Sequence, residues 1–270
     1  MRDWILSTIC DSVVNMHRNT PDPIAAYCLR GHESVGGWLQ PGATSLIWSL
    51  IEVQKHEQIS GDVAEIGVWH GKLFILLSLS LAPSEKANAV DPFEMPGYPN
   101  FIAAFQRTLA QFEIPPDKVV THQMRSEHIP LGRASSFLGE SVRFISLDGE
   151  HRRVSIVHDL RLAKEVLSDF GVVVVDDIFS AWAPSVTEGI IDFLRQDAGD
   201  IVPFALAASD GPLTTGCAKV FLCKESAKSF YTDYLRRLNG GNLEMTTDFC
   251  DHSILVFDFE KGVEKKQLLE

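Results

Sequence analysis

The chain has 270 residues, 45% of them hydrophobic and 22% charged, which is enough to bury the core of one large α/β domain. Its formal net charge is -12 and no block of Lys or Arg occurs, which argues against nucleic acid as the main partner, because phosphate binding needs a concentrated basic surface. The five cysteines are scattered without a C-x-x-C pair, so the pattern fits a reducing cytoplasm better than a zinc knuckle or disulfide framework.

At the N-terminus "MRDWILSTICDSVV" lacks the long apolar segment of a secretion signal, and no later run reaches membrane-spanning length. The sequence therefore predicts a cytoplasmic chain without a membrane partner. Apolar residues at helical spacing predict helices in "WILSTICDSVVNM" and "ATSLIWSLIEVQKH". The turn-rich "RNTPDPIAAYCLRGHESVGGWLQPG" between them reads as a loop. Residues 1–60 are expected to form a helical cap that walls an acceptor pocket, with Trp38, Trp48, Trp69 and Trp182 as candidates for an apolar platform.

From residue 61 strands alternate with helices. Strands are predicted in "DVAEIGVW", "ANAVDPF", "DKVVTHQM", "VRFISLDG", "GVVVVDD", "VPFALAAS", "AKVFLCK" and "SILVFDF". Crossover-length helices lie in "GKLFILLSLSLA", "NFIAAFQRTLAQF", "RRVSIVHDLRLAKEVL" and "SVTEGIIDFLRQ". Such alternation implies an α/β fold with a doubly wound, mostly parallel sheet, here set at seven strands. Residues 61–225 would hold this core and residues 226–270 an extension, in which "ESAKSFYTDYLRRL" reads as a surface or dimer helix. In such a sheet ligands bind beyond the carboxyl ends of the strands, so the residues closing each strand carry the information.

"AEIGVWHGK" closes the first strand with Glu65, Gly67 and Gly71. It is one residue short for a phosphate loop, with Leu73 where a hydroxyl is needed, and Trp69 occupies the second glycine of a dinucleotide fingerprint. What remains is E-x-G-x-x-x-G, a strand-to-helix turn that either binds a ligand or only turns. His70 stands beside it, a candidate for reaching an acceptor or for capping the turn. Asp91, one β-α-β step on, has the spacing of a carboxylate that accepts ribose hydroxyls, and Pro92 and Phe93 would line an adenine slot. "FISLDGEHRR" ends the fourth strand with Asp148, Glu150 and His151, and "GVVVVDDIF" ends the fifth with Asp176 and Asp177. If those strands are neighbours, three aspartates converge, and their repulsion near a dry core asks for a cation. A hard divalent ion such as Mg2+ or Mn2+ suits such a cluster. Glu150 and His151 both remain candidates for a general base.

Together "GDVAEIGVWHGK", "AVDPFE", "RFISLDGEHR", "LRLAKEVLSDFGVVVVDDIF" and "WAPSVTEGIIDFL" resemble class I methyltransferases, in particular the macrocin-type and novobiocin-type sugar O-methyltransferases, over about residues 35–225. The resemblance implies a Rossmann-like fold, S-adenosyl-L-methionine along Glu65, Gly67, Gly71 and Asp91, and metal ligation by Asp148, Asp176 and Asp177. It puts Glu150 at an acidic-base position and Ser126 near the adenine, although Arg125 precedes Ser126 where the group often has Asp. The expected activity is divalent-metal-assisted O-methylation of a sugar or other small-molecule hydroxyl in a biosynthetic pathway, with a homo-oligomer left open. Two other readings keep the fold: a metal-dependent hydroxylase, and a non-catalytic cofactor-binding partner protein.

Overall fold

A computed structural model describes residues 22–94, 97, 100–208 and 218–259. The predicted helix in "WILSTICDSVVNM" lies outside these residues. The segment read as a loop contains a helix, α1 (Pro23–Leu29), started by Asp22, whose carboxylate accepts from the Ile24 amide, and a 3-10 turn at Gly31–Ser34. Proline at the first helical position favours a start there despite the turn-rich composition.

After α1 comes α2 (Pro41–His56). The core then runs β1 (Asp62–Ile66), α3 (Lys72–Leu79), β2 (Ala87–Asp91), α4 (Ile102–Gln111), β3 (Val119–Gln123), α5 (Ser135–Leu138) and β4 (Val142–Leu147). It continues with α6 (Arg153–Val166), β5 (Leu167–Ile178), α7 (Pro184–Gln196), β6 (Ile201–Ala207), β7 (Ala218–Lys224) and α8 (Glu225–Leu238), and closes with β8 (Leu243–Phe249) and β9 (His252–Phe257). No described helix is long and apolar enough to cross a membrane.

Among the described residues the sheet has nine strands, not seven, in the order β3-β2-β1-β4-β5-β7-β6-β9-β8. The pairs from β3 through β5 are parallel, β7 runs antiparallel between β5 and β6, and a β8–β9 hairpin extends the sheet beside β6. The valine run of β5 shows why a central strand is apolar throughout. Val172 and Val174 face the helix layer that includes α2 and α3, while Val173 and Val175 face the layer of α6 and α7. The helix α2, expected as part of the helical cap, packs into this core: Leu46, Ile47, Leu50 and Ile51 are fully buried. A buried arginine on β4 ties it there. Arg143 donates to Glu85 Oε2 at 3.0 Å and to Gln54 Oε1 of α2 at 3.0 Å, and Gln54 Nε2 returns a bond to the Arg143 carbonyl at 2.7 Å. The amphipathic α8 is a surface helix that buries Ala227, Tyr231 and Leu235 against the sheet and leaves Glu225, Asp233, Arg236 and Arg237 exposed.

Candidate active site

Parallel pairing carries the ends of β1, β2, β4 and β5 to one rim. Ile66 pairs with Leu147, and Leu147 with Val175. Beyond the last paired residues the ladder continues, since the Asp148 amide donates to the Ile66 carbonyl at 2.8 Å and the Gly67 amide to the Val90 carbonyl at 2.9 Å. Gly67 has φ +84, and a Cβ there would stand 1.8 Å from the Asp148 carbonyl oxygen. No side chain fits, so the glycine is what lets the β1 and β4 ends meet. Gly71, at φ +90, starts α3 in the left-handed region.

A cleft of about 910 Å³ opens above this rim. Glu65, Gly67, Asp91, Pro92, Ser126, Asp148, Glu150, His151, Asp176 and Asp177 all line it. Phe93 does not. Its positive φ of 52 turns the side chain inward, where it is fully buried and stacks on Phe105 at 5.2 Å, so it forms no adenine slot. Trp38, Trp69 and Trp182 reach the cleft, whereas Trp48 packs against the core. His70 stacks on Trp69 at 4.8 Å, outside the lining.

Glu65 is 3% exposed and its Oε2 has no hydrogen-bond partner. Burial, then the Asp148 charge, pushes its carboxyl well above the usual range. Leaving a buried carboxylate oxygen unpartnered is costly, so the site invites a cationic or donating ligand. Asp91 is differently held. The Trp69 amide donates to its Oδ2 at 2.9 Å and the Phe93 amide to its Oδ1. Each carboxylate oxygen keeps a second lone pair for a hydroxyl donor, and burial raises the carboxyl pKa despite these amides.

The acidic rim is organised by two cations of the chain itself. Lys219 on β7, buried to 2% exposure, forms an ion pair with Asp176. Sequence reasoning missed Lys219; its signal was a charge inside the apolar strand "AKVFLCK", whose neighbours Ala218 and Val220 pair with Ile178 and Val175 of β5. His151 supplies the second cation. Its Nε2 lies 3.3 Å from Asp148 Oδ1 and 3.3 Å from Asp177 Oδ2. The Asp148 hydrogen bond, against the opposing effect of burial, and then the charges of the aspartates lift the imidazole to about 9. Burial, then Asp176, pushes the Asp148 carboxyl up to about 7.

Two of the three expected ligands, Asp148 and Asp177, come together with His151. Asp148, His151 and Asp177 each offer an atom within 4.8 Å of the others, while Asp176 turns to Lys219. Two carboxylates and one imidazole at that separation fit a divalent ion. They are the inverse of the two-histidine, one-carboxylate set of non-haem iron oxygenases, which weakens the hydroxylase reading. Glu150 sits at the rim between two arginines, with Arg125 Nη1 at 3.2 Å and Arg152 Nε at 3.4 Å. Arg125 thus replaces the expected acid with a basic residue that engages the candidate base. Ser126 lies on the cleft wall at the start of a 3-10 turn, and α6 holds that turn through His158, whose Nε2 is 3.2 Å from the Ser126 carbonyl.

Residues 64–178 match the family described as "Methyltransferase domain". Cofactor-bound Rv0187 from MTB superposes with a TM-score of 0.53 at 13% identity, covering 80% of this chain and 95% of that one. The O-methyltransferase TomG from Streptomyces achromogenes, in complex with SAM, gives 0.53 at 15% identity over 80% and 95% of the two chains. The O-methyltransferase NovP gives 0.53 at 14% identity over 67% and 80%. At these identities the likeness shows a shared fold. No curated protein matches the sequence.

Proposed function

We propose that this chain, whose residues 64–178 carry a methyltransferase domain, moves a methyl group from S-adenosyl-L-methionine to a hydroxyl oxygen of a small acceptor. The observation that carries the reading is Glu65: a buried carboxylate with an unpartnered oxygen, at the end of β1, on the wall of a cleft large enough for two ligands. The cofactor supplies an electrophilic methyl group and brings cationic groups to satisfy such a carboxylate. Asp91, oriented by two backbone amides, presents its remaining lone pairs to the ribose hydroxyls, and Ser126 stands where the adenine would lie.

At the rim the residues position an acceptor hydroxyl and receive its proton. The Asp148–His151–Asp177 trio would hold a divalent ion, which when bound acidifies and orients neighbouring acceptor oxygens. Burial raises the Asp148 carboxyl and the Asp148 hydrogen bond raises the His151 imidazole, and both stand at the rim within reach of an acceptor proton. The arginine pair on Glu150 favours a role in orientation over one as the base.

Calorimetry with S-adenosylhomocysteine tests the cofactor reading: the native chain should bind, and Glu65→Gln should bind at least tenfold more weakly. Mn2+ titration followed by electron paramagnetic resonance tests the ion: Asp177→Asn should abolish its binding and spare S-adenosylhomocysteine. Unchanged Mn2+ binding in that variant refutes the trio.

A further inference from the structure

The cleft holds a preference that catalysis does not require. Trp38 and Trp182 both line it, yet they are 74% and 79% exposed. Indoles held so openly on the wall of a cavity are surface waiting for a ring to cover it. Trp38 is backed by Trp69 at 6.4 Å, and Trp69 by Phe101 at 4.4 Å, so its face belongs to a supported aromatic wall. The cleft volume of about 910 Å³ lies at the upper end of the usual range for small-molecule sites, which leaves room beside a nucleoside cofactor.

The charge of the lining narrows what the ring carries. Eight Asp and Glu side chains face the cleft against three Lys and Arg among the described residues. All three cations are already engaged: Arg125 by Glu150, Lys219 by Asp176, and Lys72, whose Nζ donates to the Gly37 carbonyl at 2.9 Å. Away from the Asp148–His151–Asp177 trio, a phosphate or carboxylate on the acceptor would meet more acidic than basic side chains, and those Lys and Arg are already engaged. An ammonium group would meet both attractive partners, the carboxylates and the faces of two indoles.

We propose that the acceptor is an amine-bearing ring compound with a hydroxyl, its ring packed on Trp38 and Trp182 and its ammonium drawn by the acidic lining. This rests on the methyltransferase reading and adds the class of acceptor to it. The source of the ring, aromatic or sugar, is open to direct comparison. Two matched series are titrated into the full chain saturated with S-adenosylhomocysteine, with binding read by calorimetry: tyramine, 4-ethylphenol and 4-hydroxyphenylacetate, then glucosamine, glucose and glucuronate. In at least one series the amine should bind about tenfold or more tighter than the carboxylate, with the neutral member between, and the gap should shrink at high salt. Whichever series shows this order identifies the ring. Trp182→Ala and Trp38→Ala should each weaken the amine several-fold while shifting S-adenosylhomocysteine affinity less than twofold. A carboxylate bound as well as its amine, indifference of the amine to both tryptophan variants, or no binding in either series overturns the proposal. Binding of S-adenosylhomocysteine with a flat charge series sinks the acceptor class alone. Failure of S-adenosylhomocysteine itself to bind removes the methyltransferase reading and this inference together.

Discussion

Gly67 decides whether the two halves of the site meet. An added Cβ would fall 1.8 Å from the Asp148 carbonyl oxygen, and the position has φ +84, so Gly67→Ala must push β1 and β4 apart. We expect a loss well above the ~1 kcal/mol typical of a point substitution, measured by denaturant unfolding, together with loss of S-adenosylhomocysteine binding. Asp159 on α6 makes a different prediction. It is completely buried, and burial lifts its carboxyl from 3.8 to about 7 against the opposing effect of a hydrogen bond from Ser126. A folded pKa above the unfolded one means that the folded state binds more protons between those two values. The contribution to stability is therefore fully present below about pH 4 and declines as pH rises towards 7. Asp159→Asn removes that decline, so relative to the native chain the variant should be more stable at pH 8 than at pH 5. Thermal melts at the two pH values check it; an identical difference at both would mean that Asp159 titrates as an exposed acid.

Among elements, the contact of β5 with β7 carries a buried ion pair. Lys219→Met would leave Asp176 buried without its cation, at a cost of about 3–5 kcal/mol, and adding Asp176→Asn should recover most of that loss. Urea titrations of the two single variants and the double variant close the cycle; additive losses would show that the pair is not coupled. The same strands mark where sequence reasoning stopped. Glu65, Asp91, Asp148 and Asp177 were legible because each closes an apolar run, and a parallel sheet gathers such ends at one rim. Lys219 was not, because its approach to Asp176 follows from the antiparallel register of β7 on β5, which no local pattern encodes. Phe93 was misplaced because a positive φ, invisible in the letters, swings it into the core. The doublet Asp176–Asp177, both of which line the cleft, likewise does not say in sequence which member pairs with the lysine.

At the scale of the whole molecule, the doubly wound order was readable from the strand–helix alternation, and the count was not. β8 escaped notice because "LEMTTDF" is exposed along most of its length and shows no period-two burial, as befits an outermost strand. That polar strand has a protective consequence. Every residue of β6 is buried, and β9 and β8 cover its outer side in turn. Thr246, Thr247 and Asp248 then form a hydrophilic border where another chain would otherwise zip on. A version ending before Leu243 would bare a sticky apolar margin, and light scattering should find it clumping at concentrations where the full-length protein stays dispersed. The β8–β9 hairpin is thus a solubility guard, set at the opposite end of the strand order from β3.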